Sequence, residues 1–149
     1  MSIRNYTSEI PASRSIASIM QRLVDHGASE VAASYVDKRV VGLVFVIPGG
    51  DSKHIPIRLP ARSKQIAVVL RRSYKKVNDA TAKRIEEQAE RTAWKLLDEW
   101  IQIQLNLIQL EQIEFLEAFL PFVWNPALEK TFFERVKEGG MLALTEGER

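Results

Sequence analysis

Glu86, Glu87, Glu90, Asp98 and Glu99 are the residues whose types most readily suggest chemistry, as metal-binding carboxylates. Their positions argue for a helix face instead. Glu86 and Glu90 begin a helical pattern, where negative side chains complement the positive end of the dipole. Glu87 precedes Arg91 by four residues, the favourable order for a helical ion pair. His26 closes a helix and His54 opens an edge strand, and neither has the spacing of a triad or a metal site. The glycine pair in "IPGGDSKH" lacks the glycine, lysine and Ser/Thr spacing that cradles a phosphate ahead of a helix, so a hairpin turn accounts for it. The chain has no cysteine, which excludes thiolate catalysis, disulfides and thiolate-bound zinc or iron–sulfur centres. A non-enzymatic protein is expected, with no catalytic residue, no metal and no cofactor.

The second kind of chemistry is electrostatic. From Arg58 to Arg84 there are nine basic residues and one acid, Asp79. On a helix spanning 62–77, Lys64, Arg71 and Lys75 would form one row and Arg72 and Lys76 a second beside it. Such rows meet the phosphates of a nucleic-acid strand by charge contact and counterion release. Arg62 and Lys64 would extend the path, and Tyr74, at the border of the basic face, would stack on an unpaired base. No zinc finger, RNA-binding aromatic signature or helix-turn-helix pattern accompanies these residues, so sequence-specific readout is not expected. The plainer reading of a charge run is a solvated face. Against it stands the distribution of charge: residues 1–84 carry 15 Lys/Arg and 6 Asp/Glu, residues 85–149 carry 6 and 13. That asymmetry makes one half attractive to polyanions and the other repellent. Head-to-tail packing of the two halves is the competing explanation.

The elements that must position these residues read as one α+β domain of 149 residues, without repeats or linkers. Strands and a first helix occupy 1–60, helices 61–140, and a frayed tail 141–149. Residues 2–10 alternate as a short first strand. A helix over about 11–26 follows, with Ile16, Ile19, Met20 and Leu23 on one face and Gly27 as its left-handed cap. Alternation of Val31, Ala33 and Tyr35, then of Val41, Leu43, Phe45 and Ile47, predicts a hairpin about Asp37-Lys38. The second of these strands is apolar on both faces and therefore central. "HIPIRLP" is a third strand, at an edge because Pro56 lacks an N–H. The result is a small antiparallel sheet of three or four strands with helices packed on one face.

A long helix over about 81–110 carries two apolar stripes. One runs from Ile85 through Ala89, Leu96, Trp100 and Ile103 to Leu110; the other is Ala93, Leu97, Ile101, Leu105 and Ile108. Either this helix is the spine of the domain, or one stripe meets a second subunit in a homo-oligomer. A short helix stopped by Pro121 and another over "ALEKTFFERVKEGG" complete the chain. Phe115, Phe119, Phe122, Trp124, Phe132 and Phe133 should mostly fold back as core, any remainder forming a surface for a protein partner. The N-terminal residues lack the pattern of a signal peptide, and the apolar-rich stretch Trp94–Leu120 is too interrupted to span a bilayer. No membrane association is expected, and the expected setting is the cytoplasm.

Gln88–Arg91, Ala93 and Trp94, Trp100, Gln104 and Leu105, and Phe119–Phe122 together form a pattern that resembles small proteins encoded by bacteriophages and prophages. "IPIRLPA" is similar to that family's strand before its basic segment, and the likeness runs from about Asn5 to Phe122. Relatives have a glycine after the long helix; here "LEQIEF" leaves the turn there without its usual residue. The resemblance implies a phage or prophage origin, a host-cytoplasm setting, and a role in phage DNA metabolism or in countering a host defence. It implies no catalytic residues.

Overall fold

A computed structural model describes residues 3–49, 51, 53–140 and 145. Its order is α1 (Ala12–Asp25), β1 (Glu30–Val36), β2 (Arg39–Pro48), β3 (His54–Pro60), α2 (Ser63–Arg71), α3 (Asp79–Gln109), α4 (Phe115–Phe119), β4 (Trp124–Asn125), β5 (Lys130–Thr131) and α5 (Phe132–Gly139). The architecture is α+β, as the sequence predicts. The expected tail over 141–149 lies, apart from Thr145, outside the described residues.

β1, β2 and β3 form an antiparallel sheet with β2 central. Asp37 and Lys38 both take positive φ, 50° and 65°, which gives a two-residue turn whose twist suits a hairpin. At Gly42 the backbone of β3 comes so close that a Cβ would lie 2.8 Å from the Leu59 carbonyl oxygen. Here only glycine fits, beside the register shift that opposes Ser34 and Tyr35 to Gly42 and Val40. In the next turn the positive φ falls on Asp51 rather than on Gly49, and Gly50 is outside the described residues.

Leu43, Phe45 and Ile47 of β2 and Ile57 and Leu59 of β3 point inward and are fully buried. They meet Ile19 and Leu23 of α1, Trp94, Ile101 and Leu105 of α3, and Phe119 of α4. Burying each such side chain contributes about 1.5–3 kcal/mol. Phe119 sits edge-on to Phe45 (5.4 Å) and to Trp100 (5.8 Å), and Trp100 meets Phe122 at 5.9 Å. Of the six C-terminal aromatics, Phe115, Phe119 and Phe122 therefore join the core, whereas Trp124, Phe132 and Phe133 do not. The stripe through Ala93, Ile101 and Leu105 is buried, and the other is buried at Ile85 and Ala89 but ends in the open, with Ile103 56% and Leu110 67% exposed.

Three segments differ from expectation. Residues 4–7 form turns rather than a first strand, because α3 captures their backbone. The Thr92 hydroxyl donates to the Asn5 carbonyl (2.9 Å), and Gln88 and Arg91 both donate to the Ser8 carbonyl (3.1 Å each). α2 stops at Arg71 instead of continuing to residue 77. Ser73 turns its hydroxyl back onto the Leu70 carbonyl (2.9 Å), the Tyr74 N–H bonds Arg71, and the Asn78 side chain caps α3 through the Thr81 N–H (2.8 Å). Finally, the last helix starts only at Phe132. Asn125 accepts from the N–H groups of Ala127 and Leu128, closing a tight hairpin between β4 and β5.

α3 ends sharply without glycine. The Gln112 N–H bonds the Leu107 carbonyl and the Glu111 N–H that of Ile108, with Glu111 itself at φ 59°. α1 ends in the same hydrogen-bond pattern at Gly27, φ 101°.

Candidate nucleic-acid interface

The basic segment folds as a corner, not as a helix with rows. Arg62 caps α2, Lys64 lies in its first turn and Arg71 in its last; Arg72, Tyr74, Lys75 and Lys76 occupy the exposed connection to α3. The expected rows Lys64–Arg71–Lys75 and Arg72–Lys76 are thus broken, since Lys75 and Lys76 lie beyond the helix. Arg71 and Arg72 stand at its C-terminus, where cations are favoured by the dipole. Tyr74 is 50% exposed.

Arg62, Lys64 and Arg71 do come together, on one side of a groove of about 740 Å³ between α2, the first turns of α3 and the β1–β2 turn. Val40, Val41, Ala67, Val68 and Ile85 give it apolar walls. Arg39 adds a cation, but Asp37, Glu86 and Glu90 line the same groove. The acidic half of the sequence therefore does not face wholly away: Glu90 reaches Arg39 at 3.6 Å. Arg72, Lys75 and Lys76 of the outer corner do not line this groove.

The ion pairs of the molecule lie away from this corner. The five pairs among the described residues use Arg4, Arg22, Arg39, Lys95 and Lys130. None of the nine cations from Arg58 to Arg84 takes part in them. The carboxylates that could have suggested chemistry are largely engaged elsewhere. Asp98, 5% exposed, accepts from Arg22 (3.1 Å) and Ser18 (3.0 Å). Glu99 accepts from Arg4 and Asn5, and the Arg4 hydrogen bond above all holds its carboxyl below the ordinary range. His26 hydrogen-bonds through Nδ1 to the Arg22 carbonyl (2.8 Å), and His54 is exposed.

A second, smaller cavity of about 340 Å³ adjoins the first through Arg62, which lines both. Ile57 of β3 bridges to Val123, so the chain leaving α4 runs along the free edge of the sheet and delivers Trp124 beside Arg58. The Arg58 guanidinium lies 4.5 Å from the centre of the Trp124 ring. Phe133, at the start of α5, is 49% exposed on the same cavity. Sequence reasoning missed this group, although two local signals frame it. Asn125-Pro126 marks a turn, and Thr131 with Glu134 forms a capping box that fixes the start of α5. The Thr131 N–H, then its hydroxyl, holds the Glu134 carboxyl below its usual range.

Comparison of the chain with protein-family models, with curated proteins and with solved structures finds no match. Most of the residues that carry the phage-protein resemblance have packing or hydrogen-bonding roles here, although Leu120 and Pro121 are exposed. Gln88 and Arg91 hold the N-terminal backbone, and Ala93, Trp94, Leu105 and Phe119 are buried core. Among the described residues no group of three His, Asp or Glu side chains is placed to hold a metal ion, and no helix is long and apolar enough to cross a membrane.

Proposed function

We propose that this chain is a phage- or prophage-type accessory protein that binds nucleic acid without sequence specificity, single strands in preference to duplex, and without catalysis. The observation that carries this reading is the concentration of cations at the α2–α3 corner, where Arg71, Arg72, Lys75 and Lys76 are all exposed and take part in none of the ion pairs among the described residues. Arg71, Arg72, Lys75 and Lys76 contact phosphates, Arg62 and Lys64 continue the path along the groove, and the exposed Tyr74 ring stacks on a base. Irregular backbone at 72–78 suits a flexible single strand better than the regular grooves of a duplex. The test is fluorescence anisotropy with labelled single-stranded DNA, duplex DNA and RNA, comparing wild type with a variant in which Arg71, Arg72, Lys75 and Lys76 are all changed to Glu. All four side chains are exposed, so the variant keeps its circular dichroism spectrum while losing binding. Absence of wild-type binding even at low salt contradicts the proposal.

A second reading is supported by the open end of α3. Ile103 and Leu110, with Leu116, Leu120 and Leu128 nearby in sequence, leave apolar surface exposed in the acidic C-terminal half. Under this reading the chain is an interaction, inhibitor or scaffold protein acting on a host or phage protein, or it pairs with a second copy through α3. Sedimentation of wild type against Ile103→Lys tests the second copy: a wild-type dimer that the substitution abolishes supports it.

A further inference from the structure

We propose that Arg58, Trp124 and Phe133 form a base-stacking pocket that takes one unpaired nucleobase of the strand whose phosphates follow Arg62 to Arg71. The inference rests on the nucleic-acid reading and adds to it a site distant in sequence from the basic corner. Three observations carry it. The first is chemical. A guanidinium held over an indole by a cation–π contact sets two surfaces side by side on which a base can stack. Arg58 is exposed while it lies over Trp124.

The second observation is size and lining. The cavity, about 340 Å³, is at the small-ligand end of protein sites and also includes Phe122 and the half-exposed ring of Phe133. Glu129 lines it as well and offers a carboxylate acceptor to an exocyclic amine, whereas the Glu134 carboxylate is engaged by Thr131 in the capping box. A lone phosphate would meet those acids unfavourably; a base edge would not.

The third observation is continuity. Arg62 lines both this cavity and the larger groove, so a strand with a phosphate at Arg62 can reach from one into the other. Neither a duplex, whose bases are stacked inside, nor a simple polyanion could use the ring-lined cavity.

The test compares a short single-stranded DNA with an abasic strand carrying the same number of phosphates, at fixed salt, on the full chain. Wild type should bind the base-bearing strand roughly tenfold more tightly, and that strand alone should quench tryptophan emission. Trp124→Phe, which keeps a ring, should remove the quench and so assign it to Trp124. Phe133→Ala and Arg58→Lys should each reduce the preference for bases. Arg58→Lys keeps the charge, so its loss of preference separates stacking from electrostatics. Equal binding of the two strands by wild type, with the same salt dependence, overturns the pocket and leaves the basic corner standing. Failure of both strands to bind at low salt overturns the nucleic-acid reading and the pocket with it.

Discussion

Buried hydroxyls show how differently the same group acts when it is paired and when it is not. Thr92, wholly buried in α3, donates to the Asn5 carbonyl and accepts from Gln88, so it ties the N-terminal segment to the core. Ser15 is equally buried in α1, but its hydroxyl has no hydrogen-bond partner among the described residues. Thr92→Val should therefore cost about 1–2 kcal/mol, while Ser15→Ala should be neutral or stabilising by up to about 1 kcal/mol. Urea denaturation of the two variants checks the contrast. Glu99 adds a pH-dependent clasp on the same segment. Its carboxyl is lowered chiefly by the Arg4 hydrogen bond, so its contribution is complete above the unfolded carboxyl's pKa of roughly 4.3. That contribution disappears as the pH falls through the lower folded-state value. Glu99→Gln is expected to be less stable than wild type at pH 7, with the difference vanishing in strong acid.

At the scale of elements, α1 and α3 end in the same hydrogen-bond pattern with different residues in the left-handed position. Gly27 adopts it freely, whereas Glu111 bears the clash of a Cβ at φ 59°. Glu111→Gly should stabilise the protein by about 0.5–1 kcal/mol, and Gly27→Ala should destabilise it by about 1 kcal/mol; thermal melts would show the opposite shifts. The sheet was legible in the sequence because its strands are long enough to display a period of two, with Asp37-Lys38 and Pro56 as punctuation. The end of α2 was not, since Ser73 and Val77 continue the helical spacing of Ile66, Val69 and Leu70. What stops the helix is a competing hydrogen bond from Ser73, together with the cap at Asn78 that starts α3. β4 and β5 are two residues each, too short for any period to show. The cations of the candidate site could be read directly, but their arrangement depended on where α2 ends. The pairing of Arg58 with Trp124 depends on an edge contact between Ile57 and Val123 that no local pattern announces.

For the whole molecule, the split of charge along the chain becomes only a partial separation in space. Glu86 and Glu90 share a groove with Arg62, Lys64 and Arg71, while Arg72, Lys75 and Lys76 project from the adjoining corner without an ion-pair partner among the described residues. The nucleic-acid binding proposed for that corner would be dominated by counterion release, its strength falling with salt in proportion to the phosphates engaged. The most direct measurement is the affinity for a single-stranded oligonucleotide over a range of salt concentrations. If Arg62, Lys64, Arg71, Arg72, Lys75 and Lys76 each neutralise one phosphate, the logarithm of affinity should fall against the logarithm of salt with a slope of about −4. Changing the last four to Ala should flatten the slope to about −1. A slope that the substitutions leave unchanged, or no wild-type binding at the lowest salt, would contradict the account.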